Sequence, residues 1–280
     1  PSNQIREIAR QYSKSRKSII FWGMGISQHI NGTDNARCLI TLSLITGNIG
    51  KQGAGIHPLR GQNNVQGASD AGLIPMVFPD YKSVTDSDIR QKYEKEWNCS
   101  LDKKPGLTVV EIINHILLEN IKGMYILGEN PAMSDPDQKK TRKALAKLEH
   151  LIVQDIFFTE TASFADVIFP ATAQPEKTGT YTNSNRQIQI ANQIRKPPGQ
   201  AKQDWKLIVE IAKRCGFNWK YNEVKDIFKE MSIFMNSLKN ITWQRLQDED
   251  AVCYPAAKID QPGDEVIFSD GFPTKSGLAK

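Results

Sequence analysis

Short apolar runs alternate along the chain with glycine-bearing turns and with segments whose apolar residues recur every three or four positions. Ser18 to Trp22 (SIIFW) is strand-sized and ends in Gly23-Met24-Gly25. A polar loop then leads to an apolar-periodic helix through Leu39, Leu42 and Ile45, closed by Gly47 and Gly50. Strand, glycine turn, helix is the reading, because glycine tolerates the left-handed backbone of helix ends. Gly123 to Leu127 (GMYIL), Leu151 to Val153 and Ala165 to Pro170 are further strands. Helices are expected over Val109 to Asn120, from a Ser134-Asp135-Pro136 cap to about Leu148, and over Asp204 to Cys215, stopped by Gly216. This alternation predicts an α/β fold, mostly parallel sheets flanked by helices, with a less regular C-terminal part.

Between these elements the pattern fails in informative ways. Gly53 to Gly72 carries five glycines and several amides with no apolar period, which predicts a long ordered or functional loop. Residues 80–105 are polar and read as peripheral. Lys177 to Ile194 alternates polar and apolar positions and reads as paired strands or an extended loop, broken by Pro197-Pro198-Gly199. The expected organisation is three segments: 1–62 ending one α/β lobe, 63–174 a second, dinucleotide-binding-like lobe, and 175–280 a mixed segment returning to neighbouring domains. No internal repeat is present.

Composition narrows the function classes. Hydrophobic residues make up 39% and charged residues 24%, an ordinary balance for a globular domain. No apolar run approaches the roughly 18 residues of a membrane span. The net charge of +5 is dispersed except at Lys139, Lys140, Arg142 and Lys143, where a solvated helix face is expected, so nucleic-acid binding is set aside. Cys38, Cys99, Cys215 and Cys253 have no metal-ligand or cluster spacing and read as buried or incidental thiols in a reducing compartment, so no metal ligand is assigned. The chain starts at Pro1 and shows no signal peptide, which reads as a processed start or a fragment.

The candidate chemistry lies where strands end, because ligands of open α/β sheets sit at the carboxyl ends of strands. Gly23-Met24-Gly25, Gly128-Glu129-Asn130 and Gln154-Asp155 all follow apolar runs. Asp155 is suited to accept two N–H donors from a guanine edge, or to cap its own turn. Ser134 and Asp204 are equally good helix N-caps. Arg60 stands among glycines and amides with no acidic neighbour before Asp70. Its guanidinium is either a fixed fork for a carboxylate or phosphate, or a loop staple. His29 and His57 read as structural. No H-E-x-x-H, G-x-S-x-G or P-loop occurs.

The run Gly23 to His29, the helix end Thr46 to Gly50, and above all Pro58-Leu59-Arg60-Gly61-Gln62-Asn63-Asn64-Val65-Gln66-Gly67 resemble the formate dehydrogenase branch of the molybdopterin oxidoreductases. GENP at 128–131, VQDIFFTETASFADVIFPA from Val153, EKTGTYTNSNRQIQ from Glu176 and PPGQAKQDW ending at Trp205 follow in family order.

The resemblance implies a catalytic subunit that oxidises formate to carbon dioxide at a metal, molybdenum or tungsten, held by two molybdopterin guanine dinucleotides. Arg60 would hold formate's carboxylate and Gln62 would lie near the pterin. Met24 and Gln28 would line a pterin or dinucleotide from one lobe. Gly128, Glu129, Asn130, Ser134, Gln154, Asp155 and Asp204 would hold a guanine dinucleotide from the other, with neutral Asn130 departing from a common family Asp. The family's metal-ligating cysteine or selenocysteine, its adjacent histidine, the iron-sulfur cluster cysteines and the carboxyl-terminal barrel have no counterpart here. This chain alone is therefore expected to be inactive, with an iron-sulfur cluster in a missing N-terminal part. The implied partners are electron-transfer subunits carrying iron-sulfur clusters, flavin or NAD, and the implied location is cytoplasmic. The rival readings are a relative acting on another substrate such as nitrate or arsenite, a cofactor-free scaffold subunit, or a solitary nucleotide-binding module.

Overall fold

A computed structural model describes residues 1–279. In chain order the main elements are α1 (Ser2–Lys14), β1 (Ile19–Trp22), α2 (Met24–Ser27), α3 (Gly32–Ile45), β2 (Gly55–Pro58), α4 (Val65–Asp70), β3 (Val77–Phe78), β4 (Lys82–Ser83), α5 (Ser87–Trp97) and α6 (Val109–Leu117). They continue with β5 (Gly123–Leu127), α7 (Pro131–Ser134), α8 (Gln138–Leu145), β6 (His150–Asp155), β7 (Val167–Pro170), β8 (Gly179–Thr182), β9 (Gln187–Ala191), α9 (Asp204–Arg214), α10 (Val224–Phe234), α11 (Trp243–Asp248) and β10 (Ala251–Cys253). Two compact units form. One comprises 1–68, 181–189 and 236–280, the other 69–180 and 190–235. The chain passes repeatedly between them.

The second unit is built on a parallel sheet in the order β5-β6-β7. Strand alternation puts successive side chains on opposite faces. Ile126, Leu151 and Val153 face one side, where they form a core with Ala132, Leu145 and Ala162. Each fully buried aliphatic side chain there contributes roughly 1.5–3 kcal/mol. Tyr125 pairs with Ile152 and Leu127 with Gln154, so these four share the other face. Helix α6 starts as a capping box, with Glu111 reaching back to accept from Thr108 Oγ1 and from Thr108 N, each at 2.7 Å, and the hydroxyl bond, then the backbone one, lowers the Glu111 carboxyl pKa. Its Ile113 and Ile116 pack with Ala144 of α8.

Several local expectations are corrected. Helix α8 is capped by Asp137, which accepts from Lys140 N at 3.3 Å, while Ser134 ends α7. Proline after Asp135 favoured an earlier start, but Asp137 takes a left-handed conformation, φ 53°, and restarts the helix. Residues 80–105 are not peripheral. Helix α5 buries Tyr93 completely, with its ring stacked between Phe78 and Phe234 at 4.5 Å from each. A polar sequence hid this because one aromatic carries the contact. The glycine-rich stretch 53–72 contains β2 and α4, each too short to show a period.

In the first unit β1 and β2 are parallel, Ile19 opposite Gly55 and Trp22 opposite Pro58. The fully buried Asn48 accepts from Ser18 N at 3.1 Å and donates to Thr46 Oγ1 at 3.1 Å, joining the end of α3 to the start of β1. Strands β8 and β9 form a hairpin whose tip lies in this unit, where β10 pairs antiparallel with β9. No helix among the described residues is long and apolar enough to cross a membrane.

Candidate functional site

In the second unit, the carboxyl ends of β5 and β6 collect most of the polar residues singled out from sequence. Gly128 follows β5 directly. Its N donates to Gln154 O at 2.9 Å, its φ is +65°, and nothing stands within 4 Å of where a Cβ would project. Glu129 and Ser134 are exposed, with Ser134 Oγ donating to Asn130 O at 3.2 Å. Burial, and then the charge of Glu129, raise the pKa of nearby Asp135.

Asn130 is committed to the neighbouring loop. Its Oδ1 accepts from Thr161 N at 3.1 Å and Thr161 Oγ1 at 2.8 Å, and its Nδ2 donates to Glu160 Oε2 at 2.7 Å. That last bond lowers the Glu160 carboxyl pKa. Asp155 Oδ1 accepts from Ile156 N at 2.6 Å and Phe157 N at 3.2 Å, a turn that uses one carboxylate oxygen.

Gln154 and Asp204 meet each other. Gln154 is wholly buried and its Nε2 donates to Asp204 Oδ1 at 2.8 Å. Tyr125 OH donates to Gln154 Oε1, and Lys177 Nζ pairs with Asp204 Oδ2. Burial, and then the Asp204 charge, raise the Tyr125 pKa. Asp204 is the first residue of α9, whose Gln203 cap makes no side-chain bond, so its carboxylate is turned to the sheet rather than to capping. Sequence reading missed Tyr125 and Lys177. Strand alternation placed Tyr125 on the face of Gln154, but no local pattern links Lys177 to Asp204.

In the first unit, β1 and β2 end side by side, with Leu59 N donating to Trp22 O at 2.7 Å. Met24 and Arg60 therefore follow adjacent strand ends. Met24 is 60% exposed in α2, and Gln28 caps that helix through Gln28 N to Met24 O at 2.8 Å. Arg60 is exposed, and its Nη2 donates to Gln66 Oε1 at 3.0 Å, while Gln66 Nε2 donates to Tyr254 OH at 3.3 Å. Gln62 is exposed in the same loop. The loop is anchored to the hairpin tip by Asn64 Oδ1, which accepts from Thr182 N at 2.9 Å. Gln66, Asn64 and Tyr254 are further residues that sequence reading did not single out. His29 makes a structural bond, Nε2 to Gly25 O at 2.6 Å, and His57 lies with its ring 5.4 Å from Phe21.

Among the described residues no group of three or more His, Cys, Asp or Glu side chains is placed to hold a metal ion. Cys38, Cys99 and Cys215 are exposed rather than buried, and Cys253, at the end of β10, is half-buried.

Comparison with known proteins gives this geometry its context. The molybdopterin oxidoreductase family model matches residues 4–214. The chain is 43% identical over 278 residues to the F420-dependent formate dehydrogenase subunit alpha of Methanocaldococcus jannaschii, covering 99% of this chain and 41% of that protein. It is 37% identical over 283 residues to formate dehydrogenase H of Escherichia coli, covering 100% of this chain and 39% of that protein. The chain thus spans about two fifths of these relatives. Among solved structures, acetylene hydratase from Pelobacter acetylenicus superposes with a TM-score of 0.66 at 18% identity, over 99% of this chain and 40% of that one, a likeness of fold. The chain belongs to the molybdopterin oxidoreductase family.

Proposed function

We propose that this chain is the cofactor-holding part of a formate dehydrogenase catalytic subunit, whose reaction converts formate to carbon dioxide, a proton and two electrons. The observation that carries the reading is Arg60. Its guanidinium is exposed just beyond the end of β2, braced from within its own loop by Gln66, and it forms no ion pair among the described residues. A guanidinium so held presents parallel donors to a carboxylate, a charge-assisted contact worth roughly 1.5–3 kcal/mol.

The strand ends fit the flat, phosphate-bearing cofactor that the reading requires, bis-molybdopterin guanine dinucleotide with molybdenum or tungsten. Gly23, Gly25 and Gly128 all leave open space where a side chain would stand, so a ligand can approach the backbone. When bound, this group supplies a metal centre that accepts two electrons. The chain's own residues orient and bind. Arg60 fixes the substrate anion, Met24, Gln28 and Gln62 border the strand ends of the first unit, and Gly128, Glu129 and Ser134 border those of the second. Asn130 holds the adjoining loop in place. The reading extends to an iron-sulfur cluster elsewhere in the parent protein, to partner subunits that take the electrons onward through iron-sulfur, flavin or NAD, and to a cytoplasmic location. It assigns no turnover to this chain by itself.

Metal and pterin analysis of the full-length parent, paired with formate-dependent dye reduction, tests the proposal. Bound pterin with formate activity is expected. Pterin without formate activity would point to another substrate, and absence of pterin to a scaffold subunit.

A further inference from the structure

The guanidinium of Arg60 carries only donors, so a side chain that braces it must present an acceptor. Gln66 Oε1 does so at 3.0 Å, and the same amide turns its Nε2 to Tyr254 OH at 3.3 Å. Turned over, the amide would set N–H against N–H at Arg60. A glutamine bonded at one end keeps most of its rotamer freedom, and a second bond at the other end removes it. Tyr254 is that far anchor, and it is itself clamped. Arg186, in the turn between β8 and β9, lies with its guanidinium carbon 5.9 Å from the centre of the Tyr254 ring. Arg186 Nη1 donates to Tyr254 O, and Nη2 donates to Asp264 O at 2.9 Å and to Glu265 O at 3.1 Å. Tyr254 N returns a bond to Arg186 O at 3.0 Å. All four residues, Arg60, Gln66, Arg186 and Tyr254, belong to the first unit.

We infer that Tyr254 is a positioning residue for the substrate arginine: its hydroxyl, held in place by Arg186, fixes the Gln66 amide, and the amide aims the Arg60 guanidinium. The inference rests on the proposed function, since it extends the role given there to Arg60. An exposed arginine samples many rotamers, and a two-donor contact with a carboxylate draws its strength from one of them. A brace pinned at its far end selects that geometry before the substrate arrives, so the cost of ordering the side chain is not subtracted from binding. The Tyr254 hydroxyl touches no substrate in this arrangement and acts through Gln66 alone. Its loss should therefore weaken substrate binding, which appears in KM, more than the chemical step.

The test uses the full-length, pterin-loaded parent protein in formate-dependent dye reduction. Tyr254→Phe keeps the ring beside Arg186 and removes only the hydroxyl. It is expected to raise the formate KM about two- to tenfold, the range of one neutral hydrogen bond, with kcat and pterin content little changed. In a Gln66→Ala background the same substitution should have no further effect, because the hydroxyl works through that amide. Arg186→Lys, which loosens the clamp and leaves the hydroxyl in place, should raise KM in the same direction. A wild-type KM in Tyr254→Phe would overturn the assignment, as would effects of Tyr254→Phe and Gln66→Ala that simply add, the mark of a separate structural role. Should Tyr254→Phe fail to fold, a wild-type KM in Arg186→Lys overturns it equally. Unchanged constants in Arg60→Lys would instead defeat the reading of Arg60 in the proposed function, and this inference with it.

Discussion

Gln154 Nε2 donates to Asp204 Oδ1 at 2.8 Å, joining the end of strand β6 to the first turn of helix α9 across 50 residues of chain. This bond links two of the residues expected from sequence to border the cofactor.

Gln154→Leu should therefore destabilise the protein although leucine is a good core residue. Asp204 Oδ1 and Tyr125 OH would both lose a partner, and a buried polar group left unsatisfied costs about 1–3 kcal/mol. A lowered midpoint in chemical denaturation is expected, and a variant as stable as wild type would refute the network's structural weight.

Arg60→Lys in the full-length parent should raise the KM for formate and lower kcat/KM by about tenfold or more, because a point charge does not reproduce the paired donors of the guanidinium. Gln66→Ala should act in the same direction but less, since it removes the brace at 3.0 Å and the bond to Tyr254 OH but keeps the guanidinium. Steady-state kinetics decide this, and unchanged constants in Arg60→Lys would remove Arg60 from the substrate site.

Gly128→Ala isolates backbone strain from crowding. With φ at +65° and no atom within 4 Å of the added Cβ, the cost is conformational alone, about 1–2 kcal/mol. Thermal unfolding should show this loss, and a neutral substitution would mean that the turn relaxes to a negative φ.

Tyr93→Phe should be neutral or stabilising near neutral pH, because the Tyr93 hydroxyl is buried without a hydrogen-bond partner among the described residues. Burial, and then the charge of Asp80, push its pKa from 10.0 up to about 12. The phenol ionises more readily in the unfolded chain than in the folded one, so its effect on stability is constant below pH 10.0 and becomes progressively unfavourable as the pH rises towards about 12. Unfolding measured across that window should fall less steeply in Tyr93→Phe than in wild type, and parallel slopes would contradict it.

What the sequence determined by itself was local in origin. The apolar runs of β1, β5 and β6, the glycine stops at Gly47 and Gly216, and the polar residues that follow each strand were all legible, because alternation, helical period and left-handed turns depend on near neighbours. The segment from Pro58 to Gly67 likewise carried the family likeness in contiguous residues. Only the tertiary structure decided which polar groups remain open to a ligand. Lys177 meets Asp204, Tyr125 meets Gln154, and Arg60 is braced through Gln66 to Tyr254, 188 residues beyond Gln66. Such pairings leave no period or spacing in the chain, because they arise when strands and helices bring distant positions within hydrogen-bond reach. The same holds for Tyr93, whose polar helix concealed a core residue until Phe78 and Phe234 closed on either side of its ring.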